Sequence, residues 1–348
     1  MTTPVPSLSR RLFLGGSLSA ILLGGLAACS DKKVESSESP TGPSPASNPA
    51  FPATVEHKYG TTTIKAAPQR IVVVGFTEQD ALLALGVAPI ATTTATWAGD
   101  DVEYNIYPWA KDKLGDAKPT VLDSTEGLQY DQIKALKPDL IIGTNAGLSK
   151  DDYTELSKIA PTIANSGTYD SDWYEPWDTQ TEMIGEAVGK VPEAKQLIAD
   201  LNQRFADAQA DHPKFQGVTA AFVQAPYTDG SVIAWPAGLS SDFLTDLGFV
   251  IPKSLDKFVD EQVAQAEIPA EDTKVLNDAK VLVWGNEGAE DEADIRADKV
   301  LSQLDAMKAG RVVFTGDTVT SAIYFGSILS IPYVLDALIP KLDEVVPA

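Results

Sequence analysis

The sequence predicts an α/β protein of two lobes joined by one long, rigid helix, with a ligand cleft between the lobes. Three observations predict it. Short unbroken apolar runs such as Ile71-Val72-Val73-Val74 and Leu140-Ile141-Ile142 have the character of parallel strands buried on both faces. Helical stretches alternate with them, so the chain is built of strand–helix–strand units. From Pro192, Ala194, Leu197, Ile198, Leu201, Phe205 and Ala208 form one apolar stripe. A helix of about 20 residues carries it, roughly 30 Å long and able to span two lobes.

The order along the chain supports this division. Arg10-Arg11 followed by the apolar run to Ala28 has the charged-then-apolar layout of a secretory signal, predicted to occupy residues 1–28. Ser9-Arg10-Arg11-x-Phe13-Leu14 resembles a twin-arginine export signal. Leu26-Ala27-Ala28-Cys29 resembles a bacterial lipobox, which implies a lipid on the Cys29 sulfur. Residues 29–54 are rich in Ser, Pro and Gly and are expected to be a disordered tether. The N-terminal lobe is assigned to 55–190, the connecting helix to 191–212 and the C-terminal lobe to 213–348.

Within the first lobe, Val55–Lys65 alternates like a strand and turns at Gly60. Ile71–Gly75 is a strand, Thr77 a candidate cap, and Glu78–Leu85 a helix stopped by Gly86. Strands follow from Pro89, at Asp139–Gly143 and at Thr162–Ala164, with helices at Tyr130–Leu136, Asp151–Ile159 and Glu175–Ala187. In the second lobe, Thr219–Gln224, Val281–Trp284 and Arg311–Phe314 are strands. Ser241–Leu247, Glu271–Leu276, Val300–Met307 and Ile331–Leu342 are helices.

Composition narrows the function. A net charge of −22 excludes nucleic acid, whose phosphates call for Lys and Arg. Cleavage before Cys29 removes Arg10 and Arg11 and no acid, taking −22 to −24. The single cysteine leaves no intrachain disulfide and no thiolate zinc site, and His57 and His212 are the only imidazoles. The turn Val74–Asp80 lacks the glycines of a dinucleotide fingerprint, and neither a P-loop nor a G-x-S-x-G elbow occurs. Acid runs such as Asp100-Asp101 and Glu290-Asp291-Glu292 belong to a solvated surface. No catalytic constellation assembles, no cofactor is expected and no protein-held metal site is expected.

The turns at the carboxyl ends of the strands are more informative, because open α/β sheets bind ligands there. They carry Phe76-Thr77-Glu78, Trp97, Asn145, Tyr227, Trp235, Trp284 and Tyr324. Tyr104, Tyr107 and Trp109 form an aromatic loop, and Tyr169, Asp170, Trp173 and Tyr174 another; Trp177 and Tyr333 fall on helices and are expected in the core. Glu78, Trp97, Tyr107, Trp109, Asn145, Tyr227, Trp235, Trp284, Arg296 and Tyr324 are therefore the candidate ligand-binding residues. Aromatic walls suit a bulky organic ligand. Apart from Arg311 at a strand start, Arg296 is the only arginine of the second lobe. A dense arginine clamp is thus absent, which tilts the reading toward a hydroxamate-type ligand.

Several segments together resemble the iron–siderophore periplasmic-binding-protein family. They are Pro68-Gln69-Arg70-Ile71-Val72-Val73-Val74, Asp80–Pro89, Ile133-Lys134-Ala135-Leu136-Lys137-Pro138-Asp139-Leu140-Ile141-Ile142, Leu156–Thr162, Gly310–Phe314 and Phe325–Pro332. The resemblance covers roughly residues 55–342. It implies two Rossmann-like lobes, modest closure, and a lipid-anchored receptor on the outer face of the bacterial cytoplasmic membrane. Such a receptor is a monomer and not an enzyme; it hands a ferric siderophore, whose own oxygens hold the iron, to an ABC permease. Haem or a corrinoid is the alternative cargo, and a lipid-anchored signalling module the alternative class. The resemblance further implies one acidic residue per lobe that docks on permease arginines. The matching positions are Asp131, where Glu is usual and Glu126 is a possible substitute, and Glu271.

Overall fold

The computed structural model describes residues 50–94, 102–169, 173–228, 231–260, 265–286, 288–324 and 326–347. The expected signal segment, Cys29 and Trp97 lie outside these residues.

An antiparallel hairpin of β1 (Ala53–His57) and β2 (Gly60–Ile64) comes first. Gly60, at φ +127°, permits its turn. Phe51 already packs on the core, so the expected tether stops short of residue 54: residues 50–54 belong to the fold. The aromatic ring of Phe51 is what the tether's composition does not share.

The first lobe follows as β3 (Ile71–Val73), α1 (Glu78–Ala84), β4 (Ala91–Thr93), α2 (Lys111–Leu114), β5 (Thr120–Leu122), α3 (Tyr130–Ala135), β6 (Leu140–Gly143), α4 (Lys150–Ser157), β7 (Thr162–Ala164) and α5 (Trp177–Ala187). The strands form one parallel sheet in the order β5-β4-β3-β6-β7. The chain starts in the middle, runs outward to β5, then returns to the other side of β3. The crossover direction therefore reverses between β3 and β6. Thr77 holds the N-cap position of α1 but its side chain makes no capping bond; its Oγ1 accepts from Gln180 and Asn145 instead.

The connecting helix is α6 (Val191–Asp211), 21 residues long with Pro192 in its first turn. Ala194, Leu201, Phe205 and Ala208 of its stripe are buried. Its outer face is braced against the last helix: Arg204 pairs with Asp336, and just beyond the helix His212 Nδ1 meets Asp343 Oδ1 at 2.8 Å.

The second lobe comprises β8 (Ala220–Thr228), β9 (Ser231–Trp235), α7 (Asp242–Thr245), β10 (Val259–Asp260), β11 (Gln265–Pro269), β12 (Val281–Gly285), α8 (Ala289–Ala297), α9 (Asp305–Lys308), β13 (Val312–Phe314), α10 (Asp317–Tyr324) and α11 (Ser330–Val345). Its sheet has the order β10-β11-β9-β8-β12-β13. Strands β8, β12 and β13 are parallel, while β9, β11 and β10 add antiparallel. The link from Thr228 to Ser231 is too short for a crossover, so β9 must fold back on β8. Two expected helices differ. Ala270–Asp278 is a 3-10 helix, and 300–307 breaks into a 3-10 turn and α9 at Leu304, whose backbone is extended.

One apolar cluster runs through both lobes, from Ile71 and Leu82 through Leu201 and Phe205 to Phe222, Val283 and Leu338. A polar latch accompanies it. Asp80 Oδ2 on α1 accepts from Ser327 Oγ at 2.5 Å, in the turn before α11, and from Trp109 Nε1 at 2.7 Å. No helix among the described residues is long and apolar enough to cross a membrane.

Candidate functional site

A cleft of about 450 Å³ opens between the lobes at the carboxyl ends of both sheets. From the first lobe, Phe76 follows β3 and Asn145 follows β6, the two strands that flank the reversal of crossover direction, where doubly wound sheets hold ligands. Trp173 and Tyr174 join them from the segment before α5. The second lobe contributes Gln224 of β8, Trp235 at the end of β9, Gln265 at the start of β11, and Asp317, Thr320, Ser321 and Tyr324 of α10.

Aromatic rings build its walls. Trp173, 54 % exposed, stacks on Phe76 with centroids 6.2 Å apart. It lies over Gly147, which has φ +60°; a Cβ there would stand 2.4 Å from the Trp173 ring. On the facing lobe Trp235 meets Tyr174 edge-on at 6.4 Å and Tyr324 at 5.9 Å, with Phe222 behind both. Among the described residues, the Trp235 indole Nε1 and Asn145 Oδ1 of the lining are buried polar atoms without a protein partner. Buried polar atoms are normally satisfied, so a donor and an acceptor are left at the cleft for cargo or water.

The floor of the first lobe is fixed by a hydrogen-bond network. Asn145 Nδ2 donates to Thr77 Oγ1 at 3.0 Å, and Gln180 Nε2 to the same oxygen at 2.8 Å. Glu78 accepts from the backbone N–H of Asn145 at 2.7 Å and of Thr77 at 3.0 Å. Its carboxylate fills the space over Gly75, where a Cβ would come within 2.2 Å of it. Burial pushes the Glu78 carboxyl above its ordinary range, against those hydrogen bonds.

Of the expected ligand-binding residues, Asn145, Trp235 and Tyr324 line the cleft. Glu78 does not: it is buried and ties the β3–α1 turn to the β6 turn. Trp284 is a core residue, fully buried on a strand paired on both sides. Tyr107 is buried and stacks on Trp109 at 4.6 Å, while Trp109 bonds Asp80 and lies 6.0 Å from Tyr333. Both rings thus pack between α1 and α11. Arg296 bonds Glu292 one helical turn earlier and covers the Phe314 ring. Tyr227 falls on β8, and its side chain lies outside what is described. Asp131 and Glu271 are exposed in the first turns of α3 and of the 270–278 helix, and Glu126 is exposed before α3.

Phe76, Trp173 and Tyr174 stand in aromatic turns that the sequence marks, without a signal separating them from packing residues. Gln224, Gln265, Asp317, Thr320 and Ser321 carry no such mark. Three of them sit on α10, a helix unrecognised because it is short and runs directly out of a strand turn.

Residues 71–319 match the periplasmic binding protein family. The chain belongs to that family. It is 42% identical to a periplasmic solute binding protein from Mycobacterium smegmatis, with a TM-score of 0.77, covering 85% of this chain and 99% of that one. It is 27% identical to PiaA of Streptococcus pneumoniae, whose structure was solved in complex with ferrichrome; the TM-score is 0.72, covering 84% and 98%. It is 28% identical over 301 residues to the probable siderophore-binding lipoprotein YfiY of Bacillus subtilis, covering 81% and 85%. As a periplasmic binding protein, the chain has a binding cleft where the topology puts one, at the reversal in the first sheet and the facing edge of the second.

Proposed function

We propose that this periplasmic binding protein is a lipid-anchored receptor that takes up a ferric siderophore in its cleft and delivers it to an ABC permease. The observation that carries the reading is the cleft itself. It is about 450 Å³, within the range of small-molecule sites, and walled by Phe76, Trp173, Tyr174, Trp235 and Tyr324. It offers broad ring faces and neutral amides, which grip an organic shell rather than a bare ion. The siderophore's oxygens complete the coordination of iron, so the protein supplies no metal ligand and no catalytic group. The siderophore ligands in the relatives' names support the same cargo.

Saturable quenching of the intrinsic tryptophan fluorescence, with a rise in Tm, is expected when ferric siderophores are added. Haemin and cobalamin serve as competing cargos. Binding of either of these, with no response to any ferric siderophore, would reject the reading.

The anchor and the docking face complete the proposal. Cys29 is the lipid attachment site on the outer face of the cytoplasmic membrane, and Cys29→Ala releases the protein; unchanged membrane retention refutes it. Asp131 and Glu271 open the helices that precede β6 and β12, corresponding corners of the two lobes. Both charges suit arginines of a two-subunit partner. Asp131→Ala with Glu271→Ala is expected to abolish uptake while leaving siderophore affinity intact, and normal uptake by the double variant would discard the docking assignment.

A further inference from the structure

The charge of the cleft points to the class of cargo. Among its described lining residues there is no Lys, Arg or His, and the single acid is Asp317. The other polar groups are neutral: the amides of Asn145, Gln224 and Gln265, the indole N–H groups of Trp173 and Trp235, and the hydroxyls of the tyrosines and of Thr320 and Ser321. Arg296 is already paired with Glu292 at 2.8 Å and seated over Phe314, 4.6 Å from its ring centroid.

The positive end of the α10 dipole would draw an anion, but its first turn carries Asp317 as its own counter-charge. Tyr107, in the facing lobe, feels that carboxylate: burial first, then Asp80 and Asp317, push its phenol well above the ordinary tyrosine range. Asp317 thus places a negative charge on the cleft wall.

An anionic complex entering a half-enclosed site loses hydration, and only nearby cations or a dense set of donors restore that loss. Hydroxamates carry one negative charge each, so three of them cancel a ferric ion, and a pendant ammonium makes the complex a cation. Three catecholates leave it strongly anionic. We propose that the cleft selects a tris-hydroxamate ferric complex of neutral or positive charge, with Asp317 as the counter-charge favouring a cationic one. This inference rests on the receptor reading given above.

Two ferrioxamines test it, because they share the tris-hydroxamate core. Ferrioxamine B bears a free ammonium and ferrioxamine E is a neutral ring. Ferric enterobactin and ferric citrate supply the anionic arm. In tryptophan-quenching titrations with the full folded chain, both ferrioxamines are expected to bind at least about a hundredfold more tightly than either anion, about 2.7 kcal/mol. Asp317→Asn, an isosteric change at an exposed position, is expected to weaken ferrioxamine B about fivefold, the scale of one partly screened ion pair. Ferrioxamine E should stay within about twofold, which also shows that the variant is folded. An anion bound as tightly as the ferrioxamines overturns the charge selection and leaves the receptor reading standing. Equal loss for both ferrioxamines, or loss for neither, overturns the role of Asp317. No binding by any ferric siderophore overturns the receptor reading itself.

Discussion

At the scale of single residues, the cleft depends on side chains whose surroundings differ sharply. Trp173 is half exposed and rests on Phe76 and Gly147, so it can be cut without opening the core. Trp173→Ala is expected to weaken cargo binding by about 2 kcal/mol, roughly thirtyfold, with little change in Tm; quenching titrations beside thermal unfolding check both halves. Asp80 is the opposite case. It is buried, ties the two lobes through Ser327 and also accepts from Trp109, and burial, opposed by those two hydrogen bonds, raises its carboxyl from 3.8 to about 6. A carboxyl whose folded value exceeds its unfolded one binds its proton more tightly in the folded state. Its stabilising contribution is therefore complete below about pH 4 and is lost as pH rises through about 6, by an amount on the order of 3 kcal/mol. Asp80→Asn is expected to remove this slope from denaturant-unfolding curves measured between pH 4 and 7. An unchanged slope would show that Asp80 does not titrate in that window.

At the scale of elements, α6 is legible in the amino-acid sequence, because its apolar stripe repeats at the helical period and Pro192 suits the first turn. Its stability comes from the buried stripe rather than from the ion pairs on its outer side. Phe205 is 4% exposed in the shared core. Phe205→Ala is expected to cost about 3–5 kcal/mol, against under about 1 kcal/mol for removing a surface partner such as Asp336. Chemical denaturation of the two variants decides the ranking. The parallel strands are equally legible as unbroken apolar runs. The meander β9–β11–β10 is not, since its strands are short and each is set by antiparallel pairing with the strand beside it, β9 on β8, β11 on β9 and β10 on β11. Helix α10 escapes for a related reason: its eight residues begin directly at a strand turn.

At the scale of the whole molecule, the apolar cluster crosses from lobe to lobe, and the Asp80–Ser327 latch lies within the same interface. Separating the lobes would expose that shared surface, so opening wide is costly. Thermal unfolding is accordingly expected as one cooperative transition, detected alike by fluorescence and circular dichroism. Two resolved transitions would mean that each lobe folds on its own core.

The amino-acid sequence by itself determined the α/β class, the bridging helix and the scarcity of arginine in the second lobe. Each of these rests on local period or composition, which neighbouring residues set among themselves. Only the tertiary structure decided which aromatics face the cleft. Trp235 and Trp284 both stand near strand ends, on strands paired on both sides, yet Trp235 meets Tyr174 and Tyr324 at the cleft wall while Trp284 is sealed in the core. Tyr107 and Trp109 were drawn away by a buried carboxylate on α1, and Asp317 was brought to the cleft by α10. Those outcomes depend on contacts between residues far apart in the chain, and no spacing within one segment encodes them.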